Sequence, residues 1–390
     1  MSSIKEIRDC YGCGVCAVAC PKQIIKMYIN SDGFWEPKII NADICTNCGI
    51  CLRCCSFSND DLSLDAKNFS AYASWSKDDA VRTACSSGGA AYEISKVLVS
   101  QGYYVCAVRY NIFEHRAEHY IAETVEQLLE SVGSKYIPSY TYDAFSKINL
   151  NNKNLIIGTP CQIDSFRRFA KMRNKEDNIV LIDFFCHGVP SMNVWKRYLK
   201  EVRNSIGTIQ YVSWRDKANG WGDSWSMTMD SKTFEGSVSE IREKRRQCSY
   251  KSMHSHGNPF FYMFLSNSCL NKACYKNCKF KYNNSAADIR IGDLWGQTYK
   301  NDEKGVSSII IFTDKGEEVL KEVQCFLYKL DFSIAAEGQM LNSPQIPITY
   351  YLLKFLMKIP FLSLKMMRRI MIKVEGVKYL VCKIFKENDE

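Results

Sequence analysis

The feature that most limits what this chain can fold into is a duplicated cysteine spacing near its start. Cys10, Cys13 and Cys16 precede Cys20-Pro21, and the pattern returns as Cys45, Cys48 and Cys51 ahead of Cys55-Ser56. Residues 1–68 are dense in cysteine and have room only for short elements, so they read as a separate first module with an internal repeat. The polar stretch Ser58-Asn59-Asp60-Asp61 reads as the linker that follows it.

The chain holds 19 cysteines, an odd number and far more than packing requires. Its first residues carry no apolar run of the kind that opens a secretory signal, so a reducing cytoplasmic setting is expected. Metal or cluster ligation then accounts for the thiols. C-x2-C-x2-C lets three consecutive thiolates reach three irons of one cubane, and the fourth ligand comes from elsewhere. In two-cluster ferredoxins it comes from the other run. Cys10, Cys13, Cys16 and Cys55 are therefore expected to hold one 4Fe-4S cluster, and Cys45, Cys48, Cys51 and Cys20 a second. Ser56 stands where such modules usually have proline. Cys54 competes with Cys55, and the x3 spacing of the first run favours Cys55. Structural zinc is the rival reading, but it needs four thiolates per ion and makes poor use of two triple runs.

From about Tyr72 the pattern changes. Val105–Val108, Leu155–Ile157, Ile179–Phe185 and Ile309–Phe312 read as strands. Ala90, Ala91, Ile94, Val97 and Leu98 fall at helical spacing, as do Val194, Trp195, Tyr198 and Leu199. The expected fold is a bacterial-type ferredoxin module followed by a larger α/β domain with a mixed sheet over residues 69–345, then a basic amphipathic tail over 346–390. The tail shows no uninterrupted apolar run of about 18 residues, which argues against a transmembrane helix. Its expected role is docking on its own protein or a partner, with contact to a membrane surface as the alternative. The 51 Lys and Arg against 42 Asp and Glu favour acidic partners without naming a ligand.

Four motifs carry a resemblance. Gly133-Ser134-Lys135-Tyr136, Gly158-Thr159-Pro160-Cys161-Gln162, Cys186-His187-Gly188-Val189-Pro190-Ser191 and Ala287-Asp288-Ile289-Arg290-Ile291-Gly292-Asp293-Leu294-Trp295-Gly296 together resemble the coenzyme F420 hydrogenase/dehydrogenase beta-subunit family, over about residues 70 to 315. The resemblance implies an FAD-containing domain with a third 4Fe-4S cluster on Cys161, Cys186, Cys274 and Cys278. Here the last pair is spaced C-x3-C rather than C-x2-C, and Cys269 is a substitute for either member. The resemblance further implies that Ser87, Gly88 and Gly89, together with Ser134, Lys135, Tyr136, Thr159 and Gln162, lie at the flavin. It also admits the deazaflavin coenzyme F420. Glycines opening a helix let backbone approach a phosphate; an ordinary capped helix is the plainer reading of Ser86–Gly89. No G-x-G-x-x-G follows a strand, so a Rossmann nicotinamide site is not supported.

His187 is the candidate proton donor, against a purely structural histidine. His115 and His119 have i, i+4 spacing but read as a solvated helix face. Lys244-Arg245-Arg246 reads as a docking patch for an acidic electron carrier, or a solvated face, and not as a nucleic-acid site. Trp214, Trp221, Trp225 and Trp295 read as core or cavity aromatics. The function expected is an iron-sulfur flavoprotein oxidoreductase exchanging electrons with a redox partner protein or catalytic subunit. The alternative is an electron-transfer subunit with no substrate site of its own.

Overall fold

The computed structural model describes residues 3–64, 66, 69–275 and 278–387; for residue 6 and for 377–387 it describes the backbone course alone. The boundary expected after residue 68 and the end of the 346–390 tail fall outside the described residues.

The strands are β1 (Ile25–Ile29), β2 (Trp35–Ile39), β3 (Ser70–Ser76), β4 (Tyr104–Asn111), β5 (Arg116–Ala122), β6 (Ser139–Tyr140), β7 (Asn154–Ile157), β8 (Ile179–Phe184), β9 (Tyr211–Ser213), β10 (Thr228–Asp230), β11 (Tyr250–Lys251), β12 (Ile289–Asp293), β13 (Ser307–Ile311) and β14 (Cys325–Leu330). Nine form one mixed sheet in the order β14-β3-β13-β12-β8-β7-β4-β5-β6. The central four, β12, β8, β7 and β4, run parallel. Leu155, Ile156, Val180, Leu181 and Ile182 on these strands are buried, as continuous apolar runs covered on both faces must be. Helix Pro160–Met172 turns Ile163, Phe166 and Ala170 inward, and helix Met192–Ile206 does the same with Trp195, Tyr198, Leu199 and Val202.

The front module repeats in space as it does in sequence. Short helices Val15–Ala19 and Ile50–Arg53 each start after a glycine in the left-handed region, Gly14 at φ 79° and Gly49 at φ 70°, where other residues are strained. The β1–β2 hairpin lies between them. Val15, Ala19 and Ile25 share a core with Phe166, Phe169 and Ile163 of the rear helix. Polar clamps reinforce that seam. Thr141 Oγ1 donates to the Cys13 carbonyl at 3.0 Å and Asn271 Nδ2 to the Cys10 carbonyl at 3.0 Å. The stretch expected as a linker is itself pinned, because Asn59 Nδ2 donates to the Cys55 carbonyl and Lys279 Nζ to the carbonyls of Asn59 and Asp61.

Two expectations are corrected. His115 and His119 lie on no helix: they fall in the turn and the second strand of the β4–β5 hairpin, and His119 is buried with Nε2 3.0 Å from the Ile157 carbonyl. The i, i+4 reading failed because a hairpin turn intervenes. Lys244-Arg245-Arg246 presents no continuous patch either. Arg245 is buried and donates to the Ala84 carbonyl, Lys244 pairs with Asp230 at 2.7 Å, and Arg246 alone stays exposed.

Among the described residues no helix is long and apolar enough to cross a membrane. Helices Ile348–Leu356 and Leu364–Glu387 end the chain, and Tyr350, Leu353, Leu356, Leu364, Met367 and Met371 seat them on the core.

Candidate functional site

Cys10, Cys13, Cys16 and Cys55 line one small cavity, and Cys20, Cys45, Cys48 and Cys51 line another. In both, the third cysteine of the run sits in the short helix and the others in the loop before it or in the opposite half of the repeat. Cys54 lines neither. It is buried, with its thiol 3.5 Å from the Cys51 carbonyl. Burial pushes the Cys10 and Cys16 thiols well up and Cys13 up to about 11, and neighbouring members of the same set add to the rise. Anionic sulfur here needs positive charge beside it, which cluster iron supplies. The second set lies at the surface, where Cys48 is exposed and the Ile50 N–H lowers its thiol.

The third set comes from four separate segments. Cys161 is in the first turn of helix Pro160–Met172, Cys186 follows β8, Cys274 ends a short 3-10 turn, and Cys278 lies in the loop beyond. Each thiol for which a shift is resolved has other members as electrostatic neighbours: Cys186 and Cys274 for Cys161, Cys278 for Cys186, and both Cys186 and Cys278 for Cys274. Burial pushes Cys274 up to about 12. Cys269 stands apart, with its carbonyl accepting from the Ser191 N–H and no member of the set beside its thiol. Among the described residues no three His, Cys, Asp or Glu side chains gather as ligands of a single ion would. A cubane asks something different, since each thiolate binds its own iron at a separate corner.

The first and third sets are joined. Cys13 Sγ donates to Ser165 Oγ at 3.3 Å, Ser165 Oγ to Ser56 Oγ at 2.9 Å, and Ser56 Oγ to the Cys161 carbonyl at 3.1 Å. Ser56, a departure from the usual proline, thus supplies the hydroxyl that bridges the seam. Tyr11, from the first cysteine run, reaches the third set and has Cys278, Cys161 and Cys274 as neighbours.

Beside the third set opens a cavity of about 730 Å³ at the carboxyl ends of β7, β8 and β12, where ligands of parallel sheets collect. Ser87, Gly89, Ser134, Lys135, Tyr136, Thr159, Gln162, Cys186 and His187 all line it. Gly88 does not. It is needed because a Cβ there would strike the Ser74 carbonyl and the Ser307 backbone. The Ser86–Gly89 loop opens helix Ala90–Ser100, Ser134 N–H donates to Ser86 Oγ at 2.9 Å, and Lys217 Nζ holds the Ser87 carbonyl at 2.6 Å. Gln162 serves the scaffold: Oε1 accepts from Thr159 N–H at 2.8 Å, and Nε2 donates to Ser139 Oγ at 3.1 Å.

Lys135 is half-buried, donating to the Glu130 and Val132 carbonyls, and desolvation pushes its ammonium down to about 7. Burial, aided by the Lys281 charge, pushes His187 down to about 4, so its imidazole is neutral at neutral pH. Lys281 is itself buried and clamps the Cys186 carbonyl at 2.6 Å. Arg215, fully buried, donates to Tyr136 Oη at 3.0 Å and Asp293 Oδ2 at 2.9 Å, and stacks over Trp225 and Trp295. Trp225 and Trp295 line the cavity, whereas Trp214 and Trp221 are core. Tyr11, Gly12, Phe34 and Trp35 of the front module close one wall. Trp35 Nε1 is buried with no hydrogen-bond partner among the described residues, a donor suited to a polar ring. An aromatic-lined cavity of this size, with convergent cations and a helix N-terminus, fits a flavin nucleotide.

Sequence reading missed Arg215, Lys217, Lys281 and Trp35. Each is a single polar or aromatic residue brought in by tertiary folding, and none lies in a local pattern that marks it.

A central run of parallel strands with loops gathered at their carboxyl ends defines the class, a mixed α/β domain with a ligand cavity at the sheet edge. Residues 151–326 match the family described as the C-terminal part of the coenzyme F420 hydrogenase/dehydrogenase beta subunit, and the chain belongs to that beta-subunit family. A chain from the xenon-derivatized F420-reducing [NiFe] hydrogenase complex of Methanosarcina barkeri is similar over 81% of this chain and 94% of that one, at 16% identity and a TM-score of 0.44. No curated protein matches.

Proposed function

We propose that this chain is an iron-sulfur flavoprotein that moves electrons between a redox partner at its surface and a flavin held in the 730 Å³ cavity. The order of the thiol sets carries the reading: an exposed set at Cys48, a buried set at Cys13, and a third at Cys161 that borders the cavity through Thr159 and Gln162. When bound, 4Fe-4S clusters pass single electrons and a flavin stores two. The chain's own residues do the rest. Ser165 and Ser56 fix the spacing between the buried sets, and Lys281 sets positive charge behind Cys186. The Ser87–Gly89 loop and Lys135 present N–H groups and a cation to a phosphate, and Arg215 orients Tyr136 and Asp293 at the cavity floor.

The test is anaerobic purification with iron, sulfide and flavin counted. About twelve Fe and one flavin per chain support the reading, since three cubanes carry four irons each. About eight Fe would remove the third cluster, absent flavin would remove the oxidoreductase site, and zinc with no broad brown absorbance would overturn the account.

A further inference from the structure

The two C-terminal helices have a second face that the core does not use. Tyr350, Leu353 and Leu356 of helix Ile348–Leu356 point inward, while Ile348, Tyr351 and Phe355 recur at helical spacing on the outside, exposed at 54%, 61% and 63%. Phe361, in the turn between the helices, is 85% exposed. On helix Leu364–Glu387, Met366 and Ile372 continue the apolar outer surface. Exposure of one such residue is ordinary. A run of them across two consecutive helices marks a surface that meets something apolar.

Charge identifies what it meets. From residue 346 to 376 the sequence holds six Lys and Arg and a single acid, Glu375. Lys354 is paired with Asp32 at 2.7 Å, and Arg368 donates to the His256 carbonyl. Glu375 is engaged by the Tyr262 hydroxyl at 2.7 Å. Lys358, Lys365, Arg369 and Lys373 remain exposed among the outward apolar side chains. An aromatic and aliphatic stripe interleaved with cations, on helices anchored by their opposite side, is the pattern of an element lying in the plane of a bilayer interface. The 24-residue final helix would extend about 36 Å along that plane.

We propose that the outer face of these two helices docks the protein on an anionic lipid surface, with Phe355 and Phe361 entering the acyl boundary and Lys358, Lys365, Arg369 and Lys373 facing lipid headgroups. The full-length chain is sedimented with vesicles of phosphatidylcholine alone or of equimolar phosphatidylcholine and phosphatidylglycerol. It should pellet with the anionic vesicles, stay in solution with the neutral ones, and be released by salt. The exposed pair Phe355→Ser and Phe361→Ser should weaken binding at least about tenfold, and changing the four cations to Gln about a hundredfold. Phe113→Ser, an exposed aromatic away from this face, should bind as the unchanged chain does. Circular dichroism of each variant should match that of the unchanged chain. Failure to pellet with anionic vesicles at low salt overturns the proposal, as does vesicle binding that the Phe355 and Phe361 changes leave intact. Self-association that depends on Phe355 and Phe361 would assign the face to a second copy of the chain and overturn it equally.

Discussion

Replacing Arg290 with leucine tests whether the Asp288–Asp293 motif is scaffold or site. Arg290 and Asp183 both have side chains 0% exposed, joined by two bonds of 2.7 Å. Arg290 also donates to the carbonyls of Tyr282 at 2.7 Å and Asn284 at 2.9 Å. Without the guanidinium, Asp183 keeps only the Ser285 hydroxyl at 2.7 Å. Leaving one partner of a buried pair uncompensated costs about 3–5 kcal/mol. Two orphaned carbonyls add about 1 kcal/mol each. The sum, roughly 5–7 kcal/mol, rivals the whole stability of a typical domain. In the double variant Asp183→Leu/Arg290→Leu the stranded charge is gone, so the deficit should shrink to about 2 kcal/mol. Urea unfolding followed at 222 nm, with slopes compared to check that the transition keeps its size, measures both. A single-variant loss under about 2 kcal/mol, or a double variant no more stable than the single, would refute the assignment of this pair as a structural rivet.

Cys48→Ser should lower iron by up to about four atoms per chain, whereas Cys269→Ser should leave the iron count unchanged, both read by iron assay on anaerobic protein. Gly88→Ala forces a methyl into the Ser74 and Ser307 backbone, so flavin retention should fall and stability drop by about 1–3 kcal/mol in a thermal melt. Because the Lys135 ammonium sits at about 7, flavin phosphate should bind more tightly at pH 6 than at pH 8 by several-fold, and titration of Lys135→Met should lose that slope. Burial holds His119 near 4 against an ordinary 6.5. The unfolded chain therefore takes up a proton that the folded chain refuses, and stability should decline by about 1.4 kcal/mol per unit as pH falls from 6.5 toward 4; urea midpoints of His119→Gln should decline less.

The front module was legible because its ligands are local. Six of its eight cysteines lie in two runs of seven residues, where spacing alone dictates which thiols can share a cluster. The third set was legible only through resemblance, since Cys161, Cys186 and Cys274 are separated by a helix and several strands. Strands β7 and β8 could be read from their apolar runs, but not their order, because every buried parallel strand shows the same run. The phosphate-side loops announced themselves by glycine. Arg215, Lys217 and Lys281 could not, because an isolated cation looks alike whether it ends in water or beneath a cavity. The basic run at Lys244 misled for the same reason: sequence shows charge, and only the fold shows that Arg245 turns inward.

The hairpin that carries Phe34 and Trp35 has a bearing on how such a chain matures. A rear domain whose front half has not yet wrapped around iron lacks the Tyr11, Gly12, Phe34 and Trp35 side of its cavity and stands open to water along that flank. Cofactor loading is thereby conditional on metal loading, and an immature chain offers no closed chamber in which a reduced ring could linger and shed electrons to dioxygen.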